Sequence, residues 1–447
     1  MKCYVGIDLG STTTKAVVLD EHNDVLGRGI TNSRSDYAVA CSVARAEAFT
    51  NVRFTLCGRA LSGTDLPEDG RAAFLDILER AFRLEQHRAH LAVLRSVMAE
   101  EIAGVERFFP GVGLREPIGA ILDGMDAEAA ALFAPAAPRR SDFFRDIAGS
   151  QYHRHTQKRA CPGKLPFEAL MAVFDKAILK VENRQIELSF ARGAGVAIDA
   201  ALLQTKLAGS PLAGPIRERL EAAFDKKLQV IEEVGTGYGR ARLPFAKEQI
   251  RSEILCHGLG AHAMFPATAT VLDIGGQDTK AIQVDRQGIV TSFQMNDRCA
   301  AGCGRYLGYI ADEMSLGLHE LGPLAQQSCR PVRINSTCTV FAGAEIRDRL
   351  TLGQKREDIL AGLHRAVILR AMSLLARSGG VRDQFTFTGG VAKNVTAVAV
   401  LRDLVARNFG ELTINISPES IYTGALGAAL FARRHGRGDG RQEEAAA

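Results

Sequence analysis

Asp8-Leu9-Gly10-Ser11-Thr12-Thr13-Thr14-Lys15 gathers a carboxylate, a glycine, a run of hydroxyls and an ammonium group into one short stretch. A metal-bound polyphosphate asks for this set. Gly10 lets backbone approach closely, the amides and the hydroxyls of Ser11, Thr12 and Thr13 donate to phosphate oxygens, Lys15 offsets charge, and Asp8 can hold Mg²⁺ through water. The GxxxxGK[ST] spacing of a Walker loop is missing. Asp273-Ile274-Gly275-Gly276-Gln277-Asp278-Thr279 supplies a second carboxylate and a second glycine loop. Downstream, Thr388-Gly389-Gly390-Val391-Ala392 offers bare backbone against which a flat adenine or a ribose can lie. Two acidic glycine loops can close on one nucleotide from opposite sides, and the order of the three segments is more specific than any one of them.

Cysteines stand at 3, 41, 57, 161, 256, 299, 303, 329 and 338. Their odd number argues against a disulfide framework, and no CxxC pair is present, so a metal site has to collect thiols from distant parts of the chain. Cys3, Cys41, Cys57, Cys256 and Cys329 have no motif context and read as buried structural thiols. His257 and His262 beside Cys256 can be drawn as a metal trio, but helix packing is the expected role. The run His153-Arg154-His155-Thr156-Gln157-Lys158-Arg159 reads as a solvated, partner-facing basic loop.

The elements that must position these groups are short strands and long helices. Tyr4–Asp8 and Lys15–Asp20 read as a hairpin with the acidic residue at its mouth, and Thr270–Val284 repeats the unit, which suggests a duplicated fold. Arg71–Phe109 carries apolar residues near a 3.6-residue period and predicts a long helix. Further helices are expected at 300–314, 339–350, 358–378, 394–407 and 421–434, and a strand at 384–388.

The chain has 447 residues, 46% hydrophobic and 24% charged, the balance of a globular protein of two or three domains. A formal net charge of +4 spread over so large a surface points to neither nucleic acid nor an anionic membrane, and Trp is absent. No apolar run reaches the roughly 18 residues of a membrane helix, so the expected location is cytoplasmic.

DLGSTTTK, DIGGQD and TGGVAKN, in this order, resemble the two phosphate loops and the adenosine loop of the actin, sugar-kinase and heat-shock-chaperone ATPases. NDRCAAGCGRYL at 296–307 and STCTVFAGAEI at 336–346 resemble one branch, the ATPase subunits of benzoyl-CoA reductase and the activators of 2-hydroxyacyl-CoA dehydratases. The resemblance implies an α/β, duplicated ATPase fold with a helical insertion. Expected boundaries are 1–35 with 191–265 for the first lobe, 36–190 for the insertion, 266–420 for the second lobe with the cluster-binding cysteines, 421–434 for a closing helix and 435–447 for a disordered tail. It implies ATP and Mg²⁺ between the lobes, Asp8 and Asp273 organising the metal, Gln277 or Asp278 positioning the attacking water, and Gly389 and Gly390 against the nucleoside. Cys299 and Cys338 would each ligate a [4Fe-4S] cluster shared across a subunit interface, whereas Cys303 departs from the small residue expected between the glycines of CAAGxG and reads as a packed side chain.

Because the activators are short homodimers, the long insertion makes the large ATPase subunit of benzoyl-CoA reductase the favoured resemblance. It implies an ATP-dependent oxidoreductase subunit acting on a CH–CH group, fed by ferredoxin, paired with a smaller homologous ATPase subunit and two substrate-binding subunits, onto which the insertion docks. A homodimeric dehydratase activator and a cluster-free sugar or metabolite kinase are the alternatives.

Overall fold

The computed structural model describes residues 1–33, 36–135, 137, 143–182, 190–237, 243–296, 303–314, 316–335 and 339–437. In chain order the elements are β1 (Lys2–Leu9), β2 (Thr13–Leu19), β3 (Val25–Asn32), α1 (Tyr37–Leu61), α2 (Glu68–Glu106), α3 (Arg115–Leu132), α4 (Phe144–Arg159), α5 (Phe167–Glu182), α6 (Phe190–Gln204) and α7 (Ala213–Asp225). Then follow β4 (Gln229–Thr236), α8 (Glu253–Met264), β5 (Thr270–Ile274), β6 (Thr279–Val284), β7 (Val290–Asn296), α9 (Gly304–Glu313), α10 (Leu321–Ala325), α11 (Thr339–Thr351), α12 (Arg356–Ser378), β8 (Phe385–Thr388), α13 (Val395–Phe409), β9 (Ile414–Asn415) and α14 (Thr423–Gly436). Two compact units result, one of Met1–Phe49 with Leu228–Ala447 and one of Thr50–Lys227.

The first unit holds two sheets of the same design, ordered β3-β2-β1-β4 and β7-β6-β5-β8-β9. In each, an antiparallel hairpin puts an aspartate opposite a lysine, Asp8↔Lys15 and Asp273↔Lys280. In each, the hairpin's first strand pairs in parallel with a strand that puts a threonine opposite the same aspartate, Asp8↔Thr236 and Asp273↔Thr388. The glycine after each threonine has positive φ, +113° at Gly237 and +86° at Gly389. A Cβ there would stand 2.4 Å from the Leu9 carbonyl oxygen in one half and 2.3 Å from that of Ile274 in the other, so only glycine fits. The internal echo is therefore a duplication down to single residues.

Two helices carry the packing behind the first sheet, and their small residues explain how closely they come. A Cβ on Gly6 of β1 would lie 2.1 Å from the Ala425 carbonyl oxygen of α14, and one on Gly427 of α14 would lie 1.9 Å from that of Cys256 in α8. The Gly- and Ala-rich patterns of α8 and α14 thus mark a backbone-to-backbone crossing. The second sheet rests on an apolar core drawn from α9, α12 and α13, including Ile310, Leu363, Ile368, Phe385, Phe387 and Leu401. The stretch Arg356–Ser378 is long and apolar enough to cross a membrane, but 61% of its most apolar window is buried against this core. Gly427→Ala forces the backbones of α8 and α14 apart and lowers stability by about 1–3 kcal/mol, read from the denaturation midpoint of the whole chain.

The second unit is helical. The sequence period predicts a helix over 71–109, and α2 occupies Glu68–Glu106, burying Phe74, Leu78, Phe82, Leu91, Leu94, Val97, Met98 and Ile102. Glu68 and Asp69 in its first turn favour the N-terminal end of the helix dipole. Residues from α2, α3, α4 and α5 form one core that includes Ile121, Met125, Tyr152, Phe174 and Ile178.

Several expectations need correction. The helical unit ends at Lys227, so residues 191–227 belong to it rather than to the first lobe, because α6 and α7 bury their apolar faces against helices and not against a sheet. The basic run 153–159 is the end of helix α4, with Thr156 buried, and is not a loop. Cys3, Cys41, Cys57 and Cys256 are buried thiols as expected, but Cys329 is exposed in the turn before α11. The helix expected from 300 begins at Gly304, with Cys303 as its N-cap, and α14 extends through His435 and Gly436, so the tail starts later than expected. Residues 438–447 lie outside the described residues. The outer strands β3, β7 and β9 and the parallel strand β4 went unread because their polar and apolar residues mix on half-exposed faces.

His87 of α2 is buried against Phe133 and Phe144. Burial, aided by nearby His90, pushes its pKa down to about 4. The unfolded chain protonates this group at its ordinary ~6.5 while the folded chain does not, so acidification across that window removes stability, up to about 3 kcal/mol. The protection factors of the α2 amides, exchange rates divided into the intrinsic rate at each pH, should fall between pH 6.5 and 4.5, and His87→Gln should flatten that dependence.

Candidate active site

The first loop is braced from behind. Ser33 donates its hydroxyl to the Gly10 carbonyl at 2.5 Å and its amide to the Thr12 carbonyl at 2.8 Å, fixing the turn that Gly10 makes possible. Asp8, at the end of β1, is buried and meets the Lys15 ammonium at 3.6 Å through Oδ2, while its Oδ1 is buried with no hydrogen-bond partner. Thr12 reaches the second loop: a Cβ on Gly276 would lie 2.5 Å from its Oγ1. The two loops are therefore within touching distance.

Asp273 is buried at the end of β5, accepting a hydrogen bond from Thr388 Oγ1 at 2.8 Å and facing Lys280 at 3.4 Å. Lys280 is fully enclosed and also meets Glu253 at 2.8 Å and Asp278 at 2.9 Å. Burial alone would lower the Lys280 pKa, but the carboxylates of Asp273, Glu253 and Asp278 raise it well above the usual lysine range. Asp278 is turned inward onto Lys280, while Gln277 beside it is partly exposed.

The groups that sequence reasoning missed come from the N-terminal end of α8. Glu253 is buried, and its desolvation raises its pKa despite Lys280. His257, one turn on, lies 3.8 Å from Glu253 and 3.4 Å from Asp273. Burial opposes its protonation, but the Asp273 carboxylate wins and raises the imidazole pKa. Asp273 in turn is held well below the usual carboxylate range, burial being outweighed by His257 and Lys280. The expected packing role for His257 thus gives way to a place among the charged groups, while burial pushes Cys256 up to about 12 and His262 points to the Arg286 carbonyl at 3.1 Å. Pro-free spacing of Glu and His at i and i+4 on one helix was the available signal.

This donor set suits a divalent cation and a polyphosphate. The orphaned Asp8 Oδ1, the bare backbone at Gly237 and the excess of carboxylates over ammonium groups all fit Mg²⁺ with ATP, and Gly389 and Gly390 follow the threonine that stands opposite Asp273.

Cys299 and Cys338 lie outside the described residues, which resume at Cys303 and at Thr339. The amides of Gly304 and Arg305 at the start of α9 donate to the carbonyls of Gly275 and Gly276 at 2.9 and 2.8 Å. Arg347 of α11 bonds Glu313 and Tyr309 of α9 at 2.9 and 3.2 Å, so the helices that follow the two cysteines are joined. Phe341, three residues past Cys338, is 67% exposed. Cys303 is buried at the N-cap of α9.

The sequence profile of the BadF/BadG/BcrA/BcrD ATPase family matches residues 5–432. The chain belongs to this family. It is 42% identical over 227 residues to the (R)-2-hydroxyglutaryl-CoA dehydratase activating ATPase of Acidaminococcus fermentans, covering 50% of this chain and 85% of that one. It is 33% identical over 181 residues to one of the subunits of the benzoyl-CoA reductase of Thauera aromatica, covering 40% and 64%. The crystal structure of component A of the Acidaminococcus dehydratase superposes with a TM-score of 0.54 at 22% identity, over 98% of this chain and all of that one, and shows the shared ATPase fold. Within the family the comparisons weigh toward the activators rather than the large reductase subunit that the insertion had favoured.

Lys280→Met in this family ATPase strands three buried carboxylates. We expect a loss of about 3–5 kcal/mol in unfolding free energy, measured by denaturant titration, against less than about 1 kcal/mol for the exposed Lys2→Met.

Proposed function

We propose that this protein is an ATP-hydrolysing activator of a 2-hydroxyacyl-CoA dehydratase, working as a dimer of two copies of the chain that share a [4Fe-4S] cluster through Cys299 and Cys338 and receive electrons from a ferredoxin. The observation that carries this reading is the pair of hydrogen bonds from Gly304 and Arg305 to Gly275 and Gly276, which fasten the segment after Cys299 to the second phosphate loop. A loop that changes shape with the γ-phosphate then pulls directly on the cysteine segment. Identity to the dehydratase activator supports the same conclusion.

In this reading Asp8 and Asp273 hold the metal, Lys15 and the loop amides bind the phosphates, and Thr388 orients Asp273. Gln277 orients the water that attacks the γ-phosphorus as the bond to the ADP oxygen breaks, and the proton of that water leaves with the released phosphate. When bound, the cluster supplies a one-electron carrier of low potential. The third and fourth thiolates have to come from a second chain, because this chain's motifs offer two.

Oxygen-free purification should yield a brown dimer with about four irons per two chains. Cys299→Ala and Cys338→Ala should each lose the iron yet bind ATP within about threefold of the parent. A colourless, iron-free protein with normal ATP turnover would remove the redox assignment, and stable co-purification with three different chains would select the reductase subunit over the activator.

A further inference from the structure

We propose that Asp8, Glu253 and His257 form a divalent-metal site with one nitrogen ligand, filled before nucleotide arrives and taking Mn²⁺ in preference to Mg²⁺. One ligand atom from each of the three lies within 4.8 Å of the others, and all three side chains are buried. They come from β1 and from the first and second turns of α8, elements held in place by the glycine crossing of α8 with α14. Gly424 opens the space between them: a Cβ there would stand 2.8 Å from His257 Nε2 and 3.0 Å from Asp8 Oδ2.

Three independent features point to a cation. Asp8 is 3% exposed and its Oδ1 has no hydrogen-bond partner, an expensive state for a carboxylate that a metal ion relieves. Asp8, Glu253, Asp273 and Asp278 outnumber Lys15, Lys280 and a protonated His257 by one negative charge in one buried cluster, and a divalent ion that displaces the imidazole proton brings the sum to zero. Finally, Asp273 stands 3.4 Å behind His257 Nδ1, leaving Nε2 toward Asp8 and Glu253. A carboxylate behind one ring nitrogen is what fixes an imidazole as a metal ligand through the other.

The chemistry of the set selects the metal. Mg²⁺ favours an all-oxygen octahedron and keeps much of its water. Two carboxylates with an imidazole suit a first-row divalent ion, and Mn²⁺ combines an oxygen preference with tolerance of nitrogen. The remaining positions stay open to water or to phosphate oxygens. This inference concerns the apo protein and depends on neither cluster nor dehydratase, so its failure leaves the proposed function standing.

The test uses the full chain, oxidised and free of nucleotide, titrated with Mn²⁺ alone and followed by the loss of the free-ion EPR signal. One Mn²⁺ should bind per chain, and pulsed EPR should show ¹⁴N coupling from a single imidazole. His257→Gln should abolish that coupling and weaken Mn²⁺ binding about 10–100-fold, with a smaller change for Mg²⁺. Asp8→Asn, on a different element, should remove the same ¹⁴N signal, which keeps the assignment testable if His257→Gln fails to fold. Absence of nucleotide-free Mn²⁺ binding overturns the proposal, as does bound Mn²⁺ without nitrogen coupling in the parent protein, or coupling that survives both substitutions.

Discussion

Four carboxylates share a volume from which water is nearly excluded, and the ammonium group of Lys280 makes that tolerable. It contacts Glu253, Asp273 and Asp278 while being itself 1% exposed. Desolvating any one of these charges alone costs several kcal/mol, so none of them is an independent ornament on the fold. Their mutual arrangement is a condition for the two sheets of the first unit to come together with their strand ends facing.

Duplication supplies that arrangement economically. Each half contributes an aspartate at the end of a strand, a lysine across the hairpin, a threonine on the parallel neighbour and a glycine of positive φ just beyond. The halves then diverge in use. Thr388 hydrogen-bonds Asp273, whereas Thr236 turns to the Arg251 carbonyl and leaves an oxygen of Asp8 unpaired. Lys15 stays partly exposed near the gap while Lys280 is sealed inside. One half is built to be rigid and the other to receive something.

The link from this charged centre to the cysteine segments is made of backbone rather than side chains. Two amides at the start of α9 rest on two carbonyls of the glycine loop, and α9 is joined to α11 through Arg347, Glu313 and Tyr309. Backbone contacts of this kind transmit displacement with little loss because they have no rotamers to relax. Space around them is short as well: an added Cβ would stand 2.8 Å from the Asp278 carboxylate at Gly275, 2.5 Å from the Thr12 hydroxyl at Gly276 and 3.2 Å from the Gly275 carbonyl at Gly304.

Much of this was written locally in the sequence. Acidic hairpins declare themselves through alternation and turn residues within a few positions, and long helices through a 3.6-residue period, so Asp8, Asp273, the glycine loops and α2 were legible. Membership of Glu253 and His257 in the site was not, since a helix reads the same whether its polar residues meet water or a buried lysine 23 to 27 positions away. The inward turn of Asp278 was hidden for the same reason. Burial is a property of what packs against a residue, and only the tertiary structure brings α8, α14 and the two strand ends together to decide which charges are paired, which are stranded and which face the gap.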